Sequence, residues 1–174
     1  RLQRIPSGEP EGQLIFKNQV NRAALALSFL PRETILKHRD DLDWLSRQET
    51  LRVEAKDVLP RYADFGADGI PPLLWLIDDA HRFRETNGKA WQHPYLAGLI
   101  GLCKLGAEGS PAIRPLFDRL DSGTIVNFGM YNRLLVHALV RMGAKPDVIW
   151  PHVQMKGKFA AKDAERERKD FARE

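Results

Sequence analysis

The chain has 174 residues, of which 43% are hydrophobic and 29% are charged, and these values are ordinary for one folded domain. No apolar run approaches the roughly 18 residues that a membrane-spanning helix needs, so no span is predicted. The net charge of +4 comes from 27 basic and 23 acidic residues that are interspersed along the chain. This mixture makes nucleic acid a less favoured partner than protein, because nucleic-acid binders carry surfaces of one sign.

Cys103 is the single cysteine, which excludes an internal disulfide and a cysteine-based zinc site. It lies in AGLIGLCKLG among apolar residues at helical spacing, which predicts a buried, inert thiol. A chain without disulfides fits the cytoplasm and is compatible with the periplasm, so the compartment stays open. Because the chain begins at Arg1 instead of Met, we expect it to be part of a longer protein.

Composition divides the chain into three parts. Residues 1–13, RLQRIPSGEPEGQ, carry two prolines and two glycines, which is typical of a linker or arm. Residues 14–155 carry helical patterns and form the predicted domain. Residues 156–174 alternate basic and acidic side chains, which predicts a charged C-terminal helix or tail.

Apolar residues recur at i, i+3, i+4 and i+7 through most of the domain. The predicted helices lie at about residues 17–30, 32–45, 49–65, 70–79, 94–106, 110–121, 127–143 and 145–153. Pro60 predicts a kink in the third of them, and residues 80–93 lack periodicity and are predicted to be a loop. Ser110 is a candidate N-cap with Pro111 at the first helical position. The best strand candidate, at 123–128, is short, so the chain is predicted to be all-α.

One local pattern occurs three times. Gly66-Ala67, Gly106-Ala107 and Gly143-Ala144 lie 40 and 37 residues apart, and each pair follows a helix and precedes proline and a second apolar helix. Gly66 is predicted to end its helix in the left-handed αL conformation. A period near 40 residues indicates stacked helix pairs.

The helices around this pattern resemble the HEAT-repeat family, particularly the short bacterial HEAT-like repeats. The first helix of the repeat is matched by IPPLLWLIDD and SPAIRPLFDRLD, and the second by YLAGLIGLCKLG and RLLVHALVRMG. The resemblance covers about residues 14–155. It implies a short right-handed α-α superhelix, a solenoid of three to four helix pairs, whose second helices line the concave face. Pro60 and the long loop at 80–93 depart from the family pattern, and a helical bundle with coincidental spacing is the alternative.

The resemblance also implies where a partner would bind. The predicted second helices lie at about 17–30, 49–65, 94–106 and 127–143, and their candidate residues for the concave face are Arg52, Lys56, Tyr95, Asn132, Arg133 and His137. Trp91, with arginines and aromatics nearby in the predicted loop, is a candidate anchor at the rim or a residue that folds the loop onto the domain. Trp75 and Trp150 are predicted to be core residues.

No catalytic or metal-binding pattern is present in the sequence. The five histidines form no HxxxH or HExxH pair, the acidic clusters lack calcium-loop spacing, and no phosphate-binding glycine motif occurs. We therefore expect no catalytic residue, no metal site and no cofactor. The predicted function is a non-enzymatic protein-interaction module or scaffold that holds a protein partner or another domain of its own chain. The alternatives are a nucleic-acid-binding HEAT-like domain and a HEAT-like lyase that attaches a chromophore.

Overall fold

The computed structural model describes residues 19, 22–47, 57–87, 92–123 and 129–153, with the backbone alone at 81–87 and 129–132. Every regular element in these ranges is helical, which confirms the all-α prediction. The α-helices are α1 (22–28), α2 (Arg32–Ile35), α3 (Arg39–Arg47), α4 (Ile70–Asn87), α5 (Gln92–Leu105), α6 (Ile113–Asp121), α7 (Gly129–Arg141) and α8 (Pro146–Ile149). The described residues between these helices include 3-10 segments at Leu36–His38, Leu59–Gly69 and Gly106–Ala112.

Several predicted helices differ from the structure. The described part of the predicted helix at 49–65 is a turn and a 3-10 segment, and the predicted helix at 32–45 is interrupted by the 3-10 segment Leu36–His38. The predicted helix at 145–153 is α-helical at Pro146–Ile149.

Helix α4 continues to Asn87, so most of the predicted loop at 80–93 is helical. Residues 81–87 contain neither proline nor glycine, and a missing apolar stripe does not by itself end a helix. The predicted cap at Ser110 is wrong, because Ser110 and Pro111 lie in the 106–112 segment and α6 begins at Ile113 without a side-chain cap.

Proline and glycine mark the ends of the helices as predicted. Pro71 and Pro72 lie in the first turn of α4, and Pro146 begins α8. Pro60 was predicted to kink a helix, but it lies in the first turn of the 59–69 segment, just after the turn residue Val58. Each of these positions has a backbone nitrogen with no intrahelical role, so proline costs little there.

The three glycines of the repeated pattern share an unusual backbone conformation. Gly66, Gly106 and Gly143 have φ angles of 60°, 55° and 100°. Residues with a side chain rarely adopt such angles, so glycine is required for the chain to turn from one helix to the next. The ψ angle of Gly66 is −136°, which differs from the predicted αL conformation and is open to glycine alone.

The pattern that repeats in the sequence also repeats in the burial of side chains. A shift of 40 residues aligns α4 with α6, and four inward positions of α4 fall on buried or half-buried positions of α6, whereas the buried Leu74 falls on the exposed Arg114. The aligned pairs are Leu73 with Ile113, Leu76 with Leu116, Ile77 with Phe117 and Ala80 with Leu120, all buried except the half-buried Ile113 and Leu120. The two helices therefore present the same face to the core.

Helix α5 lies at the centre of the packing and contacts α4, α7 and the 59–69 segment. Gly98 and Gly101 mark the side that α4 covers. A Cβ atom added at Gly98 would lie 2.7 Å from the Leu73 carbonyl oxygen, and one added at Gly101 would lie 2.3 Å from Leu73 Cδ2. The two helices approach closely because these positions carry no side chain.

An ion pair joins α4 to α6 across the repeat. Arg119 donates from Nε to Asp78 Oδ1 at 2.6 Å and from Nη2 to Asp78 Oδ2 at 2.7 Å, and its Nη1 donates to the Pro115 carbonyl at 2.9 Å. The hydrogen bonds to Asp78 raise the pKa of the Arg119 guanidinium above its ordinary value. Asp78 therefore links α4 to α6.

Within the described residues, none of the helices is both long enough and apolar enough to cross a membrane.

Candidate interaction surface

Helices α5 and α7 are neighbours, and every ionisable side chain on them apart from Tyr and Cys is basic. Residues 92–105 contain Lys104 and one histidine, and residues 129–141 contain Arg133, Arg141 and one histidine. Neither range contains an aspartate or glutamate. Since the whole chain has 23 acidic residues among 174, this pair of packed helices is a local departure from the mixed charge of the molecule.

The open side of α5 lies opposite α4. At about 100° per residue, Ile100 lies about 200° round the helix from Gly98, which faces α4. Ile100 is 37% exposed and Lys104 is exposed, whereas the residues on the packed side are buried. Leu96 and Cys103 flank Ile100 and are half-buried. The half-buried position of Cys103 differs from the fully buried thiol predicted from its sequence.

The open side of α7 is a stripe of three nitrogen-bearing side chains. Arg133, His137 and Arg141 are all exposed and are spaced four residues apart, so successive side chains lie about 6 Å apart along the helix. We call Ile100, Lys104, Arg133, His137 and Arg141 together the basic face. It combines permanent cations with one exposed aliphatic side chain.

The acidic residues lie on the other elements. Exposed or half-buried carboxylates of the C-terminal half are on the turn before α6, on α6 and on α8: Glu108, Asp118, Asp121 and Asp147. Asp57 is exposed and precedes the 59–69 segment, which borders α5. The carboxylates of these described elements therefore lie outside α5 and α7.

The structure separates six of the seven predicted binding residues into three groups, and Tyr95 forms a fourth. Arg133 and His137 are exposed on α7, as expected for a contact surface. Asn132 lies in α7, and its side chain is outside the description. Arg52, Lys56 and Trp91 lie outside the described residues.

Tyr95 requires a correction. It was expected on the open face of its helix, but it is 1% exposed and lies in the core. Its position is about 60° from Gly98 round α5, which puts it on the side that other elements cover. Burial raises the pKa of the Tyr95 phenol above its ordinary value. Tyr95 stabilises the fold and offers no surface to a partner.

Sequence reasoning missed Ile100, Lys104 and Arg141. The spacing of four residues from Arg133 through His137 to Arg141 was visible, and it is the spacing of one face of a helix. For Ile100 and Lys104 the signal was the pair Gly98 and Gly101, which mark the packed side of α5 and so identify the opposite side as open.

A second polar cluster surrounds Tyr62 in the N-terminal half. The Tyr62 hydroxyl donates to Asp43 Oδ1 at 2.8 Å and lies 3.2 Å from Ser46 Oγ. Arg39 lies over the Tyr62 ring and over Phe65, at 5.6 and 4.8 Å from the ring centroids, and donates to the Asp68 carbonyl. These contacts join α3 to the 59–69 segment, so the cluster is structural.

Buried tyrosines give the protein a measurable sensitivity to alkaline pH. Burial is the largest cause that raises the pKa of Tyr62 above its ordinary value near 10, and its hydrogen bond to Asp43 adds to this. Between that value and the folded pKa, the unfolded chain binds fewer protons than the folded protein, so the free energy of unfolding falls as pH rises. We expect each buried tyrosine to contribute about 1.4 kcal/mol per pH unit to this fall above pH 10.

Urea unfolding of the wild type and of Tyr62→Phe at pH 9, 10 and 11 tests this expectation. The variant is less stable at pH 9 by about 1 kcal/mol, because the hydrogen bond to Asp43 is lost, but its stability declines less steeply with pH. Tyr95→Phe serves as the second variant with the same expected change in slope. Equal slopes in wild type and both variants would contradict the assignment.

A histidine–carboxylate contact links α6 to the turn after α8. His152 Nδ1 lies 2.7 Å from Asp121 Oδ1, and the imidazole stacks on the Phe117 ring with centroids 4.2 Å apart. The stacking and the hydrogen bond hold the turn after α8 against α6. The described residues contain no group of three or more His, Cys, Asp or Glu side chains arranged to hold a metal ion.

No protein-family model, curated protein sequence or solved structure matches this chain.

Proposed function

We propose that the chain is a non-enzymatic protein-interaction module in which helix pairs stack as a short HEAT-like solenoid. Its partner is another polypeptide or another domain of its own chain, held on the basic face. The observation that carries the proposal is the absence of any acidic residue from two packed helices whose open sides carry Lys104, Arg133 and Arg141.

The contacts of helix α5 support a stack. Helix α5 contacts its own partner α4, the 59–69 segment before it and α7 after it. In a solenoid each repeat touches its neighbours, and successive second helices lie side by side to form one extended surface. The shared inward positions of α4 and α6 and the ion pair between Asp78 and Arg119 also fit equivalent units placed next to each other.

Helix stability alone does not explain the charges of the basic face. A cation in the last turn of a helix interacts favourably with the helix dipole, which accounts for Lys104 and Arg141. Arg133 lies in the second turn of α7, so it extends the exposed basic stripe of His137 and Arg141 beyond the last turn of the helix.

Site-specific photo-crosslinking tests the proposal with a matched control on the same molecule. Ile100 and Trp75 are equally exposed, at 37% and 36%, but Trp75 is on α4 whereas Ile100 is on the basic face. We expect a photoreactive phenylalanine analogue at position 100 to crosslink one discrete polypeptide in extracts of the source cells. The analogue at position 75 should leave that polypeptide uncrosslinked.

The crosslinked polypeptide must then be purified and bind the unmodified chain in a two-component titration. The proposal is supported if the purified polypeptide binds the unmodified chain and if the fragment of it that was crosslinked competes with this binding. A crosslinked product from position 100 that nuclease removes would overturn it in favour of nucleic-acid binding. Crosslinking from position 75 alone would place the partner elsewhere.

A further inference from the structure

We propose that the basic face binds an acidic polypeptide segment in which carboxylate side chains alternate with aliphatic ones. This inference rests on the proposed function and names the chemistry of its partner. The argument comes from charge complementarity, from the spacing of the cations and from the aliphatic side chain among them.

The charges on the face fit carboxylates. Arg133 and Arg141 are both exposed, and a guanidinium is a group that can bind a carboxylate through two parallel hydrogen bonds. They are eight residues apart on α7, about 12 Å along the helix, and Lys104 extends the patch to α5. Since residues 92–105 and 129–141 contain no acidic side chain, a partner's carboxylates meet no repulsion from these helices.

The apolar part of the face fits an aliphatic side chain of the partner. Ile100 is 37% exposed, Leu96 and Val140 are half-buried, and all three belong to the same pair of helices. An interface with an apolar centre and a charged rim gains affinity from desolvation and specificity from its ion pairs. A segment with acidic residues alone would leave Ile100 uncovered.

The same features favour polypeptide over nucleic acid. Affinity for nucleic acid depends on neutralising many phosphates along an extended backbone, whereas the permanent cations of the basic face are three, Lys104, Arg133 and Arg141. Single strands also bind by stacking their bases on aromatic rings. Among the exposed side chains described on α5 and α7 there is no Phe, Tyr or Trp.

Fluorescence anisotropy tests the inference with a defined probe, a fluorescein-labelled peptide of 15 residues made from repeated Glu-Glu-Leu units. We expect saturable binding at low salt that weakens as sodium chloride increases, because exposed ion pairs are screened. A Lys-Lys-Leu peptide of the same length should not bind. A peptide of Glu-Glu-Ser units should bind several-fold more weakly, because it cannot cover Ile100.

Two charge-matched double variants locate the binding. Arg133→Glu with Arg141→Glu should lower the affinity for the acidic peptide at least about tenfold, because two attractive pairs become repulsive. Lys37→Glu with Arg47→Glu makes the same change in net charge at exposed sites outside the face and should change the affinity less than about twofold. Circular dichroism checks that both variants fold, and Arg133→Gln with Arg141→Gln replaces the first if it does not.

The outcomes separate this inference from the proposed function. If the acidic peptide does not bind, while the polypeptide crosslinked at position 100 binds the same face, the module stands and its partner is not acidic. If the peptide binds but both double variants weaken it equally, the attraction is general and the site is not the basic face. If a 15-nucleotide oligothymidine binds more tightly than the acidic peptide at equal salt, and the face variant abolishes that binding, nucleic acid replaces polypeptide as the partner.

Discussion

Replacing Gly69 with alanine should cost at least about 4 kcal/mol of the free energy of unfolding, enough to remove most of the stability of a domain of this size. A Cβ atom at this position would lie 1.9 Å from the carbonyl oxygen of Tyr62 and 2.8 Å from its carbonyl carbon. Because the obstacle is backbone and not the end of a flexible side chain, the 59–69 segment would have to open. That segment holds Tyr62 against α3 and leads directly into α4.

Gly109 provides the control, since it lies 40 residues later at the same place in the repeated pattern. A Cβ atom there would lie 2.8 Å from Met142 Sδ and 3.2 Å from Leu105 Cβ. A methionine side chain can move to another rotamer, so Gly109→Ala should cost only about 1 to 3 kcal/mol. Urea unfolding followed by circular dichroism measures both variants. Equal losses, or a Gly69→Ala protein within 1 kcal/mol of wild type, would show that the close approach at Tyr62 does not constrain the turn.

The sequence was most informative where backbone chemistry decides the structure. Gly66, Gly106 and Gly143 were identified by their spacing, and all three have the positive φ that only glycine adopts readily. Prolines were placed correctly in the first turns of α4 and α8. These predictions succeed because a glycine or proline restricts the chain locally, whatever packs around it.

The sequence was less informative about which side of a helix faces outward. Trp75 was predicted to be core because it lies in an apolar run, yet it is 36% exposed. Tyr95 was expected on an open face and is buried. An apolar pattern shows that a helix packs against something, but the neighbours that cover each side come from contacts far apart in the chain. The small residues of α5 did indicate which side of it is covered, since Gly98 and Gly101 face α4.

The candidate site was predicted in part. Arg133 and His137 were named, while Lys104, Arg141 and Ile100 were not, because the residues of a surface formed by two helices come together only when the helices are packed. The charge of the whole chain also concealed the face. A net charge of +4 with 27 basic and 23 acidic residues describes a mixture. Only the packing of α5 against α7 shows that basic side chains are grouped there without acidic ones.

Breaking the ion pair between Asp78 and Arg119 is expected to destabilise the protein and to weaken partner binding without touching the basic face. Both side chains are mostly shielded, with 24% of Arg119 and 30% of Asp78 exposed, and their contact is bidentate. Asp78→Ala leaves the guanidinium partly buried without its carboxylate, so we expect a loss of about 1.5 to 3 kcal/mol. Arg119→Lys keeps the charge but not the fork of donors, so it should recover little of that loss.

Arg114→Ala is the matched control, because Arg114 pairs with Asp118 on the same helix but is 80% exposed. Exposed pairs of this kind contribute well under about 1 kcal/mol, so the control should remain near wild type. A double-mutant cycle of Asp78→Ala and Arg119→Ala separates the coupling of the pair from the cost of each truncation. A coupling energy near zero would mean that α4 and α6 are held together by apolar packing alone.

The same variants connect the fold to the proposed site. Asp78 and Arg119 join α4 to α6, whereas the basic face is on α5 and α7, which pack against one another. If the pairs stack as units, loosening one unit from the next changes the separation of Arg133 and Arg141 from Lys104. We therefore expect Arg119→Ala to weaken binding of the Glu-Glu-Leu peptide several-fold while it remains folded, and Arg114→Ala to leave that binding unchanged. Unaltered affinity in a folded Arg119→Ala protein would show that the face keeps its geometry without the link between repeats, and that α5 and α7 alone hold it.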